Sequence, residues 1–232
     1  MIMRKIIEIV NKLVGKMRAN RRAAVPKNLD SIRLNLGCGL AVEKNWINID
    51  GSLNAFFATL PSKIYPLLYK ISGANKYYSE SDYCRLLADN IFLHHELSYG
   101  IPFNDNTIDF IYTSHFVEHL SRQNALNLLK DSYRVLKEGG MMRISIPDLQ
   151  YAISLYSLGR KDEMLRQYFF VDDDGASFSQ HRYMYDYELL SKILSNIGFA
   201  DIKRCEFQVG LVPDCELLDN RPDESLFVEV TK

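Results

Sequence analysis

The feature that most constrains this chain is a change of period at Ile32, beyond which short apolar runs alternate with stretches whose apolar residues recur at helical spacing. Short buried strands joined through amphipathic helices lie parallel, because the helical crossover returns each strand to the same edge of the sheet. The expected strands are 32–36, 46–49, 91–93, 108–112, 141–146, 202–208 and 226–231. Ser121 is placed to cap a helix whose apolar face is Ala125, Leu128, Leu129, Tyr133 and Leu136, stopping at Gly139-Gly140. A second helix runs from Asp186 through Leu189, Leu190, Ile193 and Leu194 to Gly198. No long helix separates the last two strands, which makes them an antiparallel hairpin. The expectation is an α/β protein: a doubly wound seven-stranded sheet, mostly parallel with an antiparallel last strand, carrying helical insertions.

The 232 residues, 47% of them apolar, suffice for one core, taken here as 26–232. Segments 52–90 and 149–180 are too long for ordinary connections and read as cap-like insertions. Residues 1–25 form a basic amphipathic helix, with Ile6, Ile7, Val10, Val14 and Met17 on one side and Lys and Arg between them. Such a helix either completes the core of its own domain, the reading we favour, or docks on a membrane surface or partner. A formal net charge of -1 gives no reason to expect nucleic acid. Cys38, Cys84, Cys205 and Cys215 contain no C-x-x-C pair, and no apolar run is long enough to cross a bilayer. The expectation is a cytoplasmic protein, peripheral to the inner membrane if the N-terminal helix docks there.

The sharpest local signal is Leu34-Asn-Leu-Gly-Cys-Gly39, a strand emptying into a glycine turn. Gly37 and Gly39 permit a tight turn and the close approach of a ligand. Thirteen residues beyond Gly37 the next strand ends at Asp50, placed to accept hydrogen bonds from two ribose hydroxyls. G-x-G alone fits a plain tight turn equally well. A dinucleotide fingerprint wants a third glycine where Val42 stands, which disfavours NAD.

"LNLGCG", "NWINIDGS", "GIPFNDNTIDFIYTSHFVEHL" and "YRVLKEGGMMRISIPDLQY", taken in order and with "HRYMYD" and "NRPDESLFVE", closely resemble the class I S-adenosylmethionine-dependent methyltransferases. The nearest likeness is to the type found in surface-polysaccharide biosynthesis clusters. The resemblance covers nearly everything from Ile32 onward, and it implies a Rossmann-like fold with S-adenosyl-L-methionine as cofactor. It further implies that the turn of Asn35, Gly37, Cys38 and Gly39 meets the cofactor, that Asp50 holds its ribose, and that Glu96 with the Leu97 backbone meets the adenine. Thr113 and His115 would line the methionine end. Glu96 departs from the commoner aspartate.

One motif competes with this reading. His115-Phe-Val-Glu-His119 has the H-x-x-E-H pattern of the inverted zincin peptidases, and on a helix the two histidines would share a face. The stretch follows a strand directly and Ser121 restarts a helix two residues later, leaving little room for a zinc helix, so we expect no metal. His115 is assigned instead to the crevice, with Glu118 and His119 bracing the turn.

Methyl transfer to a hydroxyl needs alignment and removal of a proton, for which His115, His181 and Asp148 are the candidates. Arg182 and Tyr183 suit a polyhydroxy or anionic acceptor, whereas Asp172-Asp-Asp174 reads as a solvated loop. The expected activity is O-methylation of a sugar, sugar-nucleotide or phosphorylated glycan precursor in surface polysaccharide biosynthesis. The alternatives are a non-catalytic cofactor-binding partner protein and, less favoured, the zinc peptidase.

Overall fold

In the computed structural model, the described residues are 9, 13–17, 22–24, 30–169 and 180–232. Seven strands form one sheet: β1 Arg33–Leu36, β2 Ile47–Asp50, β3 Ile91–His94, β4 Ile108–Ser114, β5 Leu136–Pro147, β6 Ala200–Cys205 and β7 Ser225–Thr231. Their spatial order is β3-β2-β1-β4-β5-β7-β6. Strands β1 to β5 pair in parallel, while β7 runs antiparallel between β5 and β6. This is the Rossmann-like arrangement expected, and the terminal hairpin inserts its second arm next to β5.

Among the described residues, five α-helices begin at a side-chain cap. Helix α1, Leu53–Ala58, is capped by Ser52, α2 is Tyr65–Ser72, and α3, Glu80–Asp89, is capped by Ser79. These three fill the 52–90 insertion and enclose their own apolar cluster around Phe57, Tyr65, Leu68 and Tyr83. Helix α4, Arg122–Val135, begins at the Ser121 cap, whose side chain accepts from the Asn124 backbone N–H. It ends one residue earlier than its apolar pattern, because Leu136 leaves the helix to pair with Ile108 as the first residue of β5.

Helix α5, Leu149–Ser157, α6, Lys161–Met164, and a π turn at Leu165–Phe169 occupy the described part of the second insertion. Asp186 caps α7, Tyr187–Ile197, which stops at Gly198, and the short α8, Cys215–Leu218, lies between β6 and β7. The main core takes Leu34, Leu36, Ile49, Ile111, Ile144 and Val228 from the sheet, and Leu128, Leu129, Leu190 and Leu194 from α4 and α7.

The expected placement of residues 1–25 is only partly within the described set. Residues 13–17 are helical, and a side-chain carbon at Gly15 would stand 3.4 Å from Glu96. The Ala23 N–H donates to the Pro102 carbonyl and Arg22 to those of Ile101 and Phe103. These residues therefore dock on the domain itself. No described helix is long and apolar enough to cross a membrane.

Candidate active site

In an open doubly wound sheet the ligand crevice lies at the carboxyl ends of the strands where the strand order reverses. Here that point falls between β1 and β4. The chain leaves β1 through Gly37 (φ +67°) and Gly39 (φ +53°), both in the left-handed region. The Gly37 N–H donates to the Ile49 carbonyl and that of Gly39 to Asp50 Oδ2 at 2.9 Å. Asp50 Oδ1 accepts the Ser52 N–H at 2.6 Å. The carboxylate at the tip of β2 thus fixes the glycine turn, and each oxygen retains acceptor capacity for a further donor.

The two glycines face different surroundings. A side-chain carbon at Gly39 would meet nothing within 4 Å, so a ligand can rest against that backbone. At Gly37 it would fall 2.1 Å from the Phe116 ring, so the group that closely approaches this glycine is a protein side chain. Glu96, exposed at the end of the segment after β3, accepts the Ser98 N–H and reaches to 3.3 Å from the Cβ position of Gly51, beside Asp50. The open face of Gly39 and the spare acceptor capacity of the Asp50 carboxylate and the exposed Glu96 are the features here that suit the hydroxyl and amino donors of an adenosine.

Other expected cofactor contacts are turned inward. Asn35 is buried, its amide donating to the Ala41 carbonyl and to Asn48 Oδ1, so it braces the glycine turn from behind. Thr113 is buried and donates to the Leu36 carbonyl, tying β4 to β1. Cys38 is buried, and its thiol is pushed well above its ordinary range by desolvation and by the Asp50 charge, so it stays protonated. His94, the last residue of β3, and His95, just beyond it, are both buried, His94 against Phe56 and His95 bonded to the Gly100 carbonyl.

After β4 the chain does not enter a helix. His115 has a positive φ of 47°, sparsely populated for a side chain of this kind, and a 3-10 turn follows at Val117–His119. The helical pairing of His115 with His119 is therefore not formed. The His115 N–H continues the β4 ladder to the Ser145 carbonyl. Its ring, 8% exposed, lies with Nε2 2.9 Å from Ser225 Oγ and Nδ1 3.3 Å from an Arg221 nitrogen. Since guanidinium only donates, Nδ1 carries the lone pair and Nε2–H donates to Ser225.

His181 stands elsewhere, its ring centroid 5.0 Å from that of His119 and its Nδ1 2.8 Å from the Tyr168 carbonyl. Burial holds its imidazolium below the ordinary histidine range, opposed by the Glu118 charge.

Asp148 is committed to the scaffold: Oδ1 caps α5 through the Gln150 N–H and Oδ2 pairs with Arg204 at 2.9 Å. Tyr183 is likewise packed inward, edge-on to Tyr185 and under Arg122, while the Arg182 side chain is exposed. Asp172-Asp-Asp174 lie outside the described residues. Next to Ser225 opens a cleft of about 480 Å³ lined by Asp148, Tyr151, Arg204, Asp223 and Phe227, which sequence reasoning missed because β6 and β7 contribute only two residues each and the rest come from separate loops and α5.

Residues 71–144 match the family model described as a methyltransferase domain, a span covering β3, β4 and the turn after it but neither the glycine turn nor Asp50. No curated protein matches the chain. Among solved structures, a possible exported protein from Bordetella parapertussis is similar at TM-score 0.51 and 12% identity, over 99% of this chain and 68% of that one. A SAM dependent methyltransferase from Archaeoglobus fulgidus has 19% identity and TM-score 0.49, covering 97% of this chain and 94% of its own. A possible histamine N-methyltransferase from Thermotoga maritima has 15% identity and TM-score 0.49, with 97% of each chain covered.

The methyltransferase-domain match, which includes β4 at one side of the crevice, and the doubly wound strand order support a class I S-adenosylmethionine-dependent methyltransferase. S-adenosyl-L-methionine is the cofactor that this class uses.

Proposed function

We propose that the protein O-methylates a sugar, sugar-nucleotide or related phosphorylated glycan precursor. The observation that carries the reading is the position of His115. Its neighbour Phe116 packs on Gly37 in the cofactor turn, and its own ring bonds Ser225 at the wall of the 480 Å³ cleft. One imidazole thus stands between the crevice for the methyl donor and a polar cleft large enough for an acceptor. The left-handed backbone at His115 is a strain of the kind found where a side chain is aimed for chemistry.

When bound, the cofactor supplies a sulfonium methyl group, whose carbon bonds the acceptor oxygen as the carbon–sulfur bond breaks, leaving S-adenosylhomocysteine. Asp50 and Glu96 would hold the adenosine portion. His115 takes the hydroxyl proton at Nδ1 once the exposed Arg221 gives way, and Ser225 keeps the ring in the tautomer that accepts there. Arg204, half exposed at the cleft, suits a phosphate of the acceptor. Asp148 and Tyr183 are given no direct part in this reading, since both are engaged within the scaffold.

Incubation with methyl-labelled cofactor and a panel of sugar nucleotides tests the proposal. Label is expected in a sugar hydroxyl, and His115→Ala should lower turnover by about 10²- to 10⁴-fold, the usual contribution of a positioned general base. Label appearing only in protein or amine acceptors would contradict the substrate class, and undiminished turnover in His115→Ala would remove the base.

A further inference from the structure

The turn after β4 contains groups that a methyl transfer with His115 as its base leaves without a task. Glu118 is 1% exposed, and neither of its carboxylate oxygens has a hydrogen-bond partner among the described residues. A desolvated carboxylate without donors is so unfavourable that proteins normally supply it with a cation. The nearest groups are histidines: His119 Nε2 at 3.7 Å and His115 Nδ1 at 3.5 Å from Oε1.

The tautomers of two histidines are fixed by what their other nitrogen touches. His119 Nδ1 lies 3.2 Å from the Gln180 carbonyl and His181 Nδ1 2.8 Å from that of Tyr168. A carbonyl can only accept, so each ring carries its proton on Nδ1 and keeps a lone pair on Nε2. Donation of the second ring nitrogen to a backbone carbonyl is how metal-bound histidines are held. One ligating atom from each of Glu118, His119 and His181 lies within 4.8 Å of the other two. Ligands about 2.1 Å from one ion sit about 3 to 3.4 Å apart when adjacent, so side-chain movements on the order of 1 Å would close the set.

We propose that Glu118, His119 and His181 bind one divalent first-row cation, of the zinc or manganese type, beside the methyl-transfer crevice. Two imidazoles and one carboxylate on one side of an ion leave positions open for a ligand. The acceptor hydroxyl would take one of them, its oxygen held by the ion and its proton passed to His115; this role, though not the binding of metal, rests on the methyl-transfer reading above. The site differs from a zincin's, since His115 is directed to Ser225 and the second histidine ligand beside His119 is His181, from a distant segment.

Full-length protein dialysed against Zn²⁺, and separately Mn²⁺, then freed of loose metal, is to be assayed by elemental analysis alongside calorimetry with S-adenosylhomocysteine. About one ion per chain is expected for one of the two metals, with melting temperature raised on loading. Glu118→Gln, nearly isosteric, and His181→Ala should each reduce bound metal at least tenfold while still binding S-adenosylhomocysteine. If Glu118→Gln does not fold, the partly exposed His181→Ala carries the test. Wild type that binds S-adenosylhomocysteine but no stoichiometric metal overturns this inference and leaves methyl transfer standing. Metal retained equally in both variants also overturns it. Metal lost in the variants, from a wild type that fails to bind S-adenosylhomocysteine, upholds the metal site and sinks the methyl-transfer reading instead.

Discussion

At the scale of single residues, Gly37 and Gly39 look alike in sequence and differ in what they face. Both have positive φ, which costs a residue with a side chain roughly 1 kcal/mol or somewhat more. Gly39→Ala should cost about that much in denaturant unfolding, because its Cβ would enter open space. Gly37→Ala should cost clearly more, since the new carbon overlaps the Phe116 ring. A double-mutant cycle between Gly37→Ala and Phe116→Ala should return a coupling of about 1–3 kcal/mol, and a coupling near zero would refute the contact.

The place of Asp50 at the tip of the second strand, beside the glycine turn, was legible because strand and turn are local in sequence. Asn35 and Thr113, expected at the cofactor, are buried and bonded within the scaffold; a strand alternates its faces, and sequence does not say which face the ligand shares. For His115, Glu118 and His119 the spacing was read on a helical template. A left-handed residue and a 3-10 turn replace that helix, and no property of the histidine side chain announces them.

At the scale of elements, the strands and their helices followed from period and caps: Ser121 and Asp186 stand where the structure begins α4 and α7. The segment between β6 and β7 was less legible, because what orders it is one buried charge. Arg143, fully buried on β5, pairs with Asp219 through two nitrogens and with Glu229, and donates to the carbonyls of Glu206 and Val209. Glu229 in turn accepts the N–H groups of Leu211 and Val212. An arginine inside an apolar strand pattern signals a buried partner without naming it.

Asp219→Ala should destabilise the protein by about 3–5 kcal/mol in urea unfolding, because it strands a buried guanidinium. A loss below about 1 kcal/mol, the range of exposed pairs, would contradict this account of the hairpin. The N-terminal segment is a second case: its basic amphipathic pattern allowed either a free surface or a docked helix. The bonds of Arg22 and Ala23 to 101–103 favour docking.

At the scale of the molecule, the sheet reverses its winding between β1 and β4, and both halves of the candidate site hang on that reversal. The glycine turn and Asp50 stand on one side; His115, the cleft at Ser225 and the Glu118–His119–His181 group stand on the other. The first half was readable because it is local, built within residues 34–50. The second assembles residues 115–119, 181 and 225, and separations of that length leave no periodic trace.

Isothermal calorimetry with S-adenosylhomocysteine tests the central claim most directly. The wild type should bind one equivalent, and Asp50→Ala should weaken binding at least about tenfold, as expected for a lost charge-assisted hydrogen bond of about 1.5–3 kcal/mol. A wild type without heat of binding, or an Asp50→Ala variant that binds as tightly, would contradict the assignment of this crevice to the methyl donor.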